Sequence, residues 1–426
     1  MRLKIGAARE LITPALGGLF AGYGSEKPST AVHDDLTATA IIFECGGTRA
    51  MLISATVCLI GSELSERVRR ECGAAAGVPV PNVILASTHT HSGPVMSGDK
   101  AGDYCEAIFA PRCAAAAAAA SKNLIPVTMG VAATKSLVGI NRRQLLPDDK
   151  VILGQNPWGT YDPEMTVISF RDESGATVAN IIHCSAHCTA AGINTEVTRD
   201  WAGVMIDRLE QESGAITAFF NGALGDVAPR MANGGSTGDI QHAMEVGGLA
   251  GIDAVRAYKD IRAWRDEAMS IATGEIRIPY EPIMPLDEAR TALAEYRAMP
   301  DERFVISGRR RLERIIELHE SGAAGDADFT HPQVIVNIGP VAFVPIPFEP
   351  FSEISLRLRA YSPIGHTLAI GCANGSNSYL PTQDQLCRGG YEVERFMWGA
   401  PRQLPANTDA HIVNQNLAML NNIKQL

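Results

Sequence analysis

The segment of this chain best suited to chemistry is a His-x-His pair at the end of an apolar run. His89 and His91 follow residues 82–87, whose aliphatic side chains predict a buried strand. Residues two apart in an extended chain point to the same side, so both imidazoles are expected to face one point. Imidazole is a common zinc ligand, so the pair predicts a metal site. Histidines that are simply hydrogen-bonded in a loop are the alternative.

Two further strand ends supply side chains that bind metals. His187 follows the apolar run 177–184, whereas His183 lies inside that run and is interpreted as a core histidine. Glu349 follows the apolar run 341–348. A desolvated carboxylate is costly, so this one requires a cation or hydrogen-bond donors; capping of the next helix is the alternative. Ligands bind beyond the carboxyl ends of strands in open α/β sheets, which predicts that these groups lie close together.

A glycine-rich turn follows a fourth apolar run at residues 215–220. Its backbone N–H groups could form an oxyanion-binding nest, although a plain structural turn fits equally well. The phosphate-binding pattern GxxxxGK[ST] is absent, so a P-loop is excluded. The residues of this segment that we consider candidates for substrate binding are Asn221, Gly225, Asp226, Ala228 and Arg230.

The elements that must position these residues alternate between β-type and helical runs, which is typical of an α/β fold. Ten strands are predicted, too many for a small sheet, so we expect a large mixed sheet, or two sheets, flanked by helices. We expect a single catalytic domain over residues 1–426. Within it, residues 266–332 carry charged helical segments and are predicted to form a helical insertion or cap.

Composition limits the partners of this chain. The 426 residues are 46% hydrophobic and carry a formal charge of −10. A nucleic acid or an anionic membrane would require a basic face, so both are excluded, and a small-molecule substrate is expected. The basic cluster Arg309–Arg311 opens a predicted helix and is interpreted as a solvated face. Association into a homo-oligomer is left open.

Cysteine usage and the first residues favour a cytoplasmic protein. The nine cysteines are odd in number and include no CxxC pair, so they are interpreted as free thiols in a reducing compartment. Charges interrupt the first ten residues, so we expect no secretion signal. No segment reaches the roughly 18 apolar residues that predict a membrane span.

Taken in order, several segments resemble the catalytic domain of the neutral (alkaline, non-lysosomal) ceramidases. The resemblance covers nearly the whole chain, and its most specific match is the HTHSGP run at residues 89–94. The other matching segments are residues 6–24, His33 with its DDL continuation, Asn141-Arg142, the AHCT run 186–189, the GDVAP turn 225–229, Pro347-Phe348-Glu349, the SYLPT run 378–382 and Tyr391-Glu392.

This resemblance implies a zinc-dependent hydrolase that cleaves an amide (N-acyl) bond with a zinc-activated water molecule. It implies that the zinc ligands are His89, His187, Glu349 and Tyr379. His91 and Arg142 would line the same site and act on the scissile carbonyl, and Tyr379 would also take part in catalysis. His33 and Asn141 join the candidates for substrate binding.

Three departures from the family point to a different substrate. Ala228 replaces a serine of the family's turn, the chain ends where a C-terminal sandwich domain would begin, and a secretion signal is missing. We therefore expect a cytosolic relative that is not a true ceramidase and acts on a smaller or more polar molecule. Arg142 and Arg230 suggest an anionic group on it. An ester or lactone hydrolase, a metal-dependent lyase or isomerase, and a non-catalytic binding module are the alternatives.

Overall fold

The computed structural model describes residues 2–23 and 27–424. The strands in the first half are β1 Lys4–Leu11, β2 Ala31–Val32, β3 Thr37–Cys45, β4 Thr48–Ala55, β5 Val83–Ser87, β6 Ile125–Pro126, β7 Thr128–Lys135, β8 Gly139–Asn141, β9 Arg143–Leu145, β10 Val151–Leu153, β11 Glu164–Arg171 and β12 Thr177–Cys184. Those in the second half are β13 Glu196–Val197, β14 Ile216–Asn221, β15 Val227–Pro229, β16 Met269–Pro279, β17 Asp328–Ile338, β18 Val341–Pro345, β19 Glu349–Pro350, β20 His366–Ile370 and β21 Tyr379–Leu380. The helices are α1 Ser62–Ala76, α2 Ala110–Lys122, α3 Asp200–Ser213, α4 Ile240–Lys259, α5 Leu286–Ala298, α6 Arg303–Glu320, α7 Ser352–Tyr361, α8 Gln383–Leu386, α9 Tyr391–Trp398 and α10 Thr408–Lys424.

Three larger sheets organise these strands. Their strand orders are β5-β4-β3-β1-β6, β14-β12-β11-β7 and β16-β17-β18-β20. Each sheet is mostly antiparallel and has one parallel pair at an edge: β4 with β5, β12 with β14, and β18 with β20. The predicted α/β class with mixed sheets flanked by helices is confirmed, with the strands divided among more sheets than expected.

The three sheets share one apolar core. Ile41 and Phe43 of β3 face it together with Phe170, Phe220 and Phe343 from the other two sheets. Ala40 and Ile42, the alternate residues of β3, face the opposite side and pack with α1 and α2. Helices α3 and α4 cover the second sheet in the same way, and α7 and α10 cover the third. Strands buried on both faces have continuous apolar sequences, which is why they were readily predicted.

The alanine-rich helix α2 packs very closely on the first sheet. Ala116, Ala117 and Ala120 are fully buried. The neighbouring strand carries Gly6, where an added Cβ would lie 2.0 Å from the carbonyl oxygen of Ala120. Small residues on both partners permit this approach. A π-helical turn at Cys105–Phe109 precedes the helix.

The predicted helical insertion at residues 266–332 contains strands at both ends. Strand β16 pairs with β17 from Met269 with Ile338 through Pro279 with Asp328, so both belong to the third sheet. Only α5 and α6, between these strands, form a helical hairpin. The sequence interpretation missed β16 because only its end alternates clearly, with Ile276 and Ile278 buried between exposed polar residues.

Two further features concern the whole described chain. Seven of the nine cysteines are buried, Cys45 is half-buried and Cys387 is exposed. Across residues 2–23 and 27–424, no helix has both the length and the apolar character needed to cross a bilayer.

Candidate metal centre

The candidate site lies where strands of all three sheets end. His89 follows β5 in the first sheet, and His187 follows β12 in the second. Glu349 begins the short strand β19, beyond β18 of the third sheet, and pairs in parallel with Tyr379 of β21. Loops leaving the carboxyl ends of the parallel pairs therefore bring these four side chains together, as expected for α/β sheets.

His89 and His91 meet, but not through the extended geometry that their spacing suggested. The backbone of His89 is left-handed, with φ of 70°, which is uncommon for a residue other than glycine. This turn places the two Nε2 atoms 3.2 Å apart. A strained conformation at a chemically active residue is a common feature of functional sites.

Hydrogen bonds fix the tautomers of both ligand histidines. Nδ1 of His89 lies 2.9 Å from the carbonyl oxygen of Cys58, and Nδ1 of His187 lies 2.8 Å from that of Leu224. A carbonyl oxygen only accepts, so each Nδ1 carries the proton and each Nε2 presents a lone pair. Both Nε2 atoms face Oε2 of Glu349, at 3.4 Å from His89 and 3.2 Å from His187. Three acceptor atoms directed at one another are stabilised by a shared cation.

The donor set fits a divalent metal in geometry and in charge. A tetrahedral zinc ion with bonds of about 2.0–2.1 Å separates its ligand atoms by about 3.4 Å, close to the distances found here. Burial lowers the pKa of His89 and, more strongly, that of His187, so both imidazoles stay neutral, as metal ligands must be. Two nitrogens and a carboxylate oxygen are typical of zinc.

A second group of potential ligands, Cys58 with His89 and His91, is less suitable. Burial raises the pKa of the Cys58 thiol well above its ordinary value, and the charge of Glu349 adds to the effect. Only the thiolate binds zinc strongly, so this thiol is a poor ligand. Cys58 contributes instead through its carbonyl oxygen, which orients His89.

Tyr379 and Arg142 complete the wall of the site. The Tyr379 ring stacks on His187 with ring centroids 6.3 Å apart, and the Arg142 guanidinium carbon lies 5.4 Å from the Tyr379 centroid. Burial and the charge of Glu349 raise the pKa of Tyr379, while Arg142 opposes this shift. The phenol is therefore placed beside the three ligand atoms, with a cation nearby to stabilise any negative charge that it acquires.

A buried carboxylate, Glu392, holds the arginine in place. Its Oε1 accepts a hydrogen bond of 2.7 Å from Nε of Arg142, and its Oε2 accepts one of 2.8 Å from Nη1 of Arg143. Nη2 of Arg142 is buried and has no hydrogen-bond partner among the described residues. The sequence linked Glu392 to the site only through a family resemblance, since no local spacing joins residues 250 positions apart.

Asn221 and Gly225 form hydrogen bonds that connect the loops at the strand ends. The Asn221 amide donates hydrogen bonds to the carbonyl oxygens of Thr88 and Ala186, at 3.1 and 2.8 Å, and so ties the two histidine loops together. The N–H of Gly225 donates to the carbonyl oxygen of Pro350. These donors are already used, so the predicted substrate contacts and oxyanion nest gain no support from them.

Asp226 and Asn141 form a structural cluster beside the site. Asp226 Oδ1 accepts hydrogen bonds from the backbone N–H and the hydroxyl of Ser352, both 2.8 Å long, and thereby caps the first turn of α7. Asn141 Nδ2 donates to Asp226 Oδ2 and to the carbonyl oxygen of Thr160. Burial raises the pKa of Asp226 to about 7.

The remaining predicted residues have other partners. Ala228 is buried in β15, opposite Ile140 of β8. Arg230 donates to the backbone oxygens of Leu137 and Gly139. His33 is partly exposed, and its Nδ1 lies 3.7 Å from a carboxylate oxygen of Glu196. None of these contacts involves the candidate ligands, so the structure does not bring His33 or Arg230 to the metal centre. His183 is a core histidine as predicted, with its Nε2 2.8 Å from the carbonyl oxygen of Ala369.

Residue-level reasoning did not single out Gly22 and Tyr23, which cover His91. The rings of Tyr23 and His91 meet edge to face with centroids 4.7 Å apart. Gly22 has φ of 88°, and an added Cβ would lie 2.3 Å from Nδ1 of His91. Only glycine fits this position, and a glycine-rich segment near the first residues is the sequence feature that could have indicated it.

Comparisons with known proteins agree with this architecture. A crystal structure of the neutral ceramidase from Pseudomonas aeruginosa superposes with a TM-score of 0.75 at 20% identity, over 100% of this chain and 75% of that one. A structure of a ceramidase complexed with C2 gives a TM-score of 0.74 at 19% identity, over 100% of this chain and 76% of that one. No protein-family model and no curated protein sequence matches the chain. The chain therefore has the fold of the neutral ceramidases along its whole length, as its sequence motifs suggested.

Proposed function

We propose that this protein is a zinc-dependent hydrolase that cleaves an amide bond. The observation that carries the proposal is the convergence of the unprotonated Nε2 atoms of His89 and His187 on the Glu349 carboxylate. Two solved structures of the same fold are a neutral ceramidase and a ceramidase complexed with C2, and this supports an amide as the bond cleaved. Tyr379 is proposed as the fourth protein ligand.

The residues around the ligands have roles that follow from their free atoms. A zinc ion bound there supplies Lewis acidity and lowers the pKa of a bound water toward about 7. Nη2 of Arg142, buried and unpartnered among the described residues, would donate to the carbonyl oxygen as negative charge develops on it. Its position depends on Glu392, whose carboxylate accepts from Nε of the same guanidinium.

His91 is proposed to move the proton. Burial keeps this imidazole neutral by lowering its pKa well below the ordinary value. Its Nε2 lies 3.2 Å from Nε2 of His89 and therefore faces the reaction centre. A neutral imidazole at this position can take a proton from the attacking water and pass it to the departing nitrogen.

The decisive experiment compares Glu349→Gln with Glu353→Gln. Glu353 lies four residues further on, in the first turn of α7, and matches the change in charge. We expect about one zinc per chain in the wild type and in the Glu353 variant. We also expect at least about a 100-fold loss of zinc affinity in the Glu349 variant, with hydrolysis of an N-acyl amide abolished. Undiminished zinc content in Glu349→Gln would refute the proposal, and faster cleavage of the matching ester would favour the esterase alternative.

A further inference from the structure

A cavity of about 740 Å³ lies between the helical hairpin α5–α6 and helix α9. Its volume is within the range of small-molecule binding sites, about 300–1,000 Å³. Part of its lining is apolar, from Tyr296, Leu312 and Trp398. The Trp398 side chain remains 48% exposed, although a large aromatic ring is usually more buried.

Three arginines beside these apolar side chains have no ion-pair partner among the described residues. Arg311 donates from Nε to the carbonyl oxygen of Ala400, and its guanidinium carbon lies 5.1 Å from the Trp398 ring centroid. The Arg395 guanidinium carbon lies 5.4 Å from the Tyr391 ring centroid. Arg310 also lines the cavity. Among the described residues that line the cavity, Glu394 is the only one with an acidic side chain.

Arginines elsewhere on the same hairpin behave differently. Arg309 pairs with Asp301 at 2.6 Å, and Arg297 pairs with Glu313 at 3.0 Å. The interpretation of the basic cluster as a solvated face therefore fits the exposed Arg310 but not Arg311, whose pKa is lowered by burial. A partly desolvated guanidinium without a carboxylate partner is suited to an anionic ligand. Its presence in a chain with a net charge of −10 makes the local positive charge more notable.

The cavity also adjoins the candidate metal centre. Tyr391, which lines the cavity, contacts Tyr379 edge to face with ring centroids 5.6 Å apart. Glu392, the next residue of α9, accepts the hydrogen bond from Arg142. The Tyr391 ring therefore lines the cavity and also contacts Tyr379, which lines the candidate metal centre.

We propose that this cavity binds an apolar arm of the substrate that carries an anionic group, with Arg311 and Arg395 as the anion-binding residues. The substrate class would be N-acyl amides whose long acyl chain ends in a carboxylate. This inference rests on the proposed amide hydrolysis for its link to catalysis. It is consistent with a substrate more polar than a neutral sphingolipid.

Binding can be tested without any bond cleavage by titrating the metal-loaded protein calorimetrically with decanoate and with 1-decanol. We expect decanoate to bind at least about tenfold more tightly, because a charged hydrogen bond is lost with the alcohol. Arg311→Ala and Arg395→Ala should each weaken decanoate binding about tenfold and leave decanol unchanged. Arg297→Ala is the matched control on the same hairpin, and Arg311→Lys should retain most of the affinity. Equal affinity for the two compounds, or an equal effect of Arg297→Ala, would overturn the assignment.

Kinetics then separates this inference from the proposed function. For hydrolysis of the N-methyl monoamide of sebacic acid, Arg311→Ala should raise KM about tenfold with little change in kcat. N-methyldecanamide, which has a methyl group in place of the carboxylate, should show no such increase. An effect on kcat alone would contradict a substrate-binding role. If arginine-dependent decanoate binding is found but no zinc-dependent hydrolysis, the proposed function fails while the anion site stands.

Discussion

At the scale of single residues, burial decides the protonation of the groups around the metal centre. Desolvation penalises a charged imidazole, so His89 and His187 stay neutral and can present lone pairs. The same desolvation penalises a charged carboxylate, and it raises the pKa of Asp226 to about 7. Burial therefore keeps the histidines neutral, as metal ligands must be, and it makes the free energy of unfolding depend on pH through Asp226.

Asp226→Asn should make folding less sensitive to pH. An unfolded aspartate has a pKa near 3.9, so between about pH 4 and 7 the folded state of the wild type binds more protons than the unfolded state. Stability is therefore lost as the pH rises through this window, by up to about 1.4 kcal/mol per unit. Asparagine can still accept the two bonds from Ser352.

Urea unfolding of both proteins in chelator at pH 5, 6, 7 and 8 tests this prediction. The stability of the wild type relative to the variant should fall from pH 5 to pH 7 and then level off. A difference that stays constant over the whole range would show that Asp226 does not titrate there.

At the scale of secondary structure elements, close contacts between α3 and α4 depend on one glycine of an adjacent pair. At Gly247 an added Cβ would lie 2.5 Å from Cβ of Val204 and 2.5 Å from the carbonyl oxygen of Trp201. At Gly248 the same atom would meet open space. Both residues lie inside α4, so the helix propensity gained by alanine is the same at each.

Alanine substitutions at these two positions should therefore have opposite effects. Gly248→Ala should stabilise the protein by about 0.5–1 kcal/mol, because alanine restricts the unfolded chain and favours the helix. Gly247→Ala should destabilise it by about 1–3 kcal/mol through overpacking against α3. Denaturant midpoints of the two variants and the wild type give the order of their stabilities. Equal midpoints would mean that α3 and α4 are further apart than the structure shows.

At the scale of the whole molecule, the candidate metal centre depends on three sheets meeting, whereas the cavity lined by Arg311 and Arg395 depends on the helical hairpin. The hairpin has its own small core of Ala289, Leu293, Leu312 and Ile315. The N–H of Tyr280 donates to the carbonyl oxygen of Ala327, so the residues that flank the hairpin on either side are adjacent. The hairpin can be removed without interrupting the pairing of β16 with β17.

Replacing residues 281–326 with an Asn-Gly turn should leave a folded, metal-binding protein. Asn-Gly suits a two-residue β-hairpin, and Tyr280 and Ala327 already provide the closing pair. Circular dichroism should show a cooperative thermal transition, and zinc content should stay at about one per chain. Decanoate binding should disappear. Loss of zinc together with the hairpin would contradict the separation of the two sites.

The fold class, the main strands and the residue types of the candidate site could be predicted from the amino-acid sequence. Strands buried on both faces have continuous apolar runs, and polar residues at their ends identify the sheet edge that binds ligands. For this reason His89, His187 and Glu349 could be chosen in advance. Strand β16 could not be predicted, because its residues alternate only weakly between buried and exposed positions. The division into three sheets could not be predicted either, because it depends on which distant strands pair.

Contacts between side chains that are distant in the chain became known from the three-dimensional structure. In the structure, Glu392 forms a hydrogen bond with Arg142, and Asn221 and Gly225 use their donors to connect loops. The contacts of His33 and Arg230 are with residues outside the candidate metal centre. The structure also places Arg311 against Trp398, where its charge is partly desolvated. These outcomes depend on contacts between residues far apart in the chain, and local residue patterns contain no information about distances of that kind.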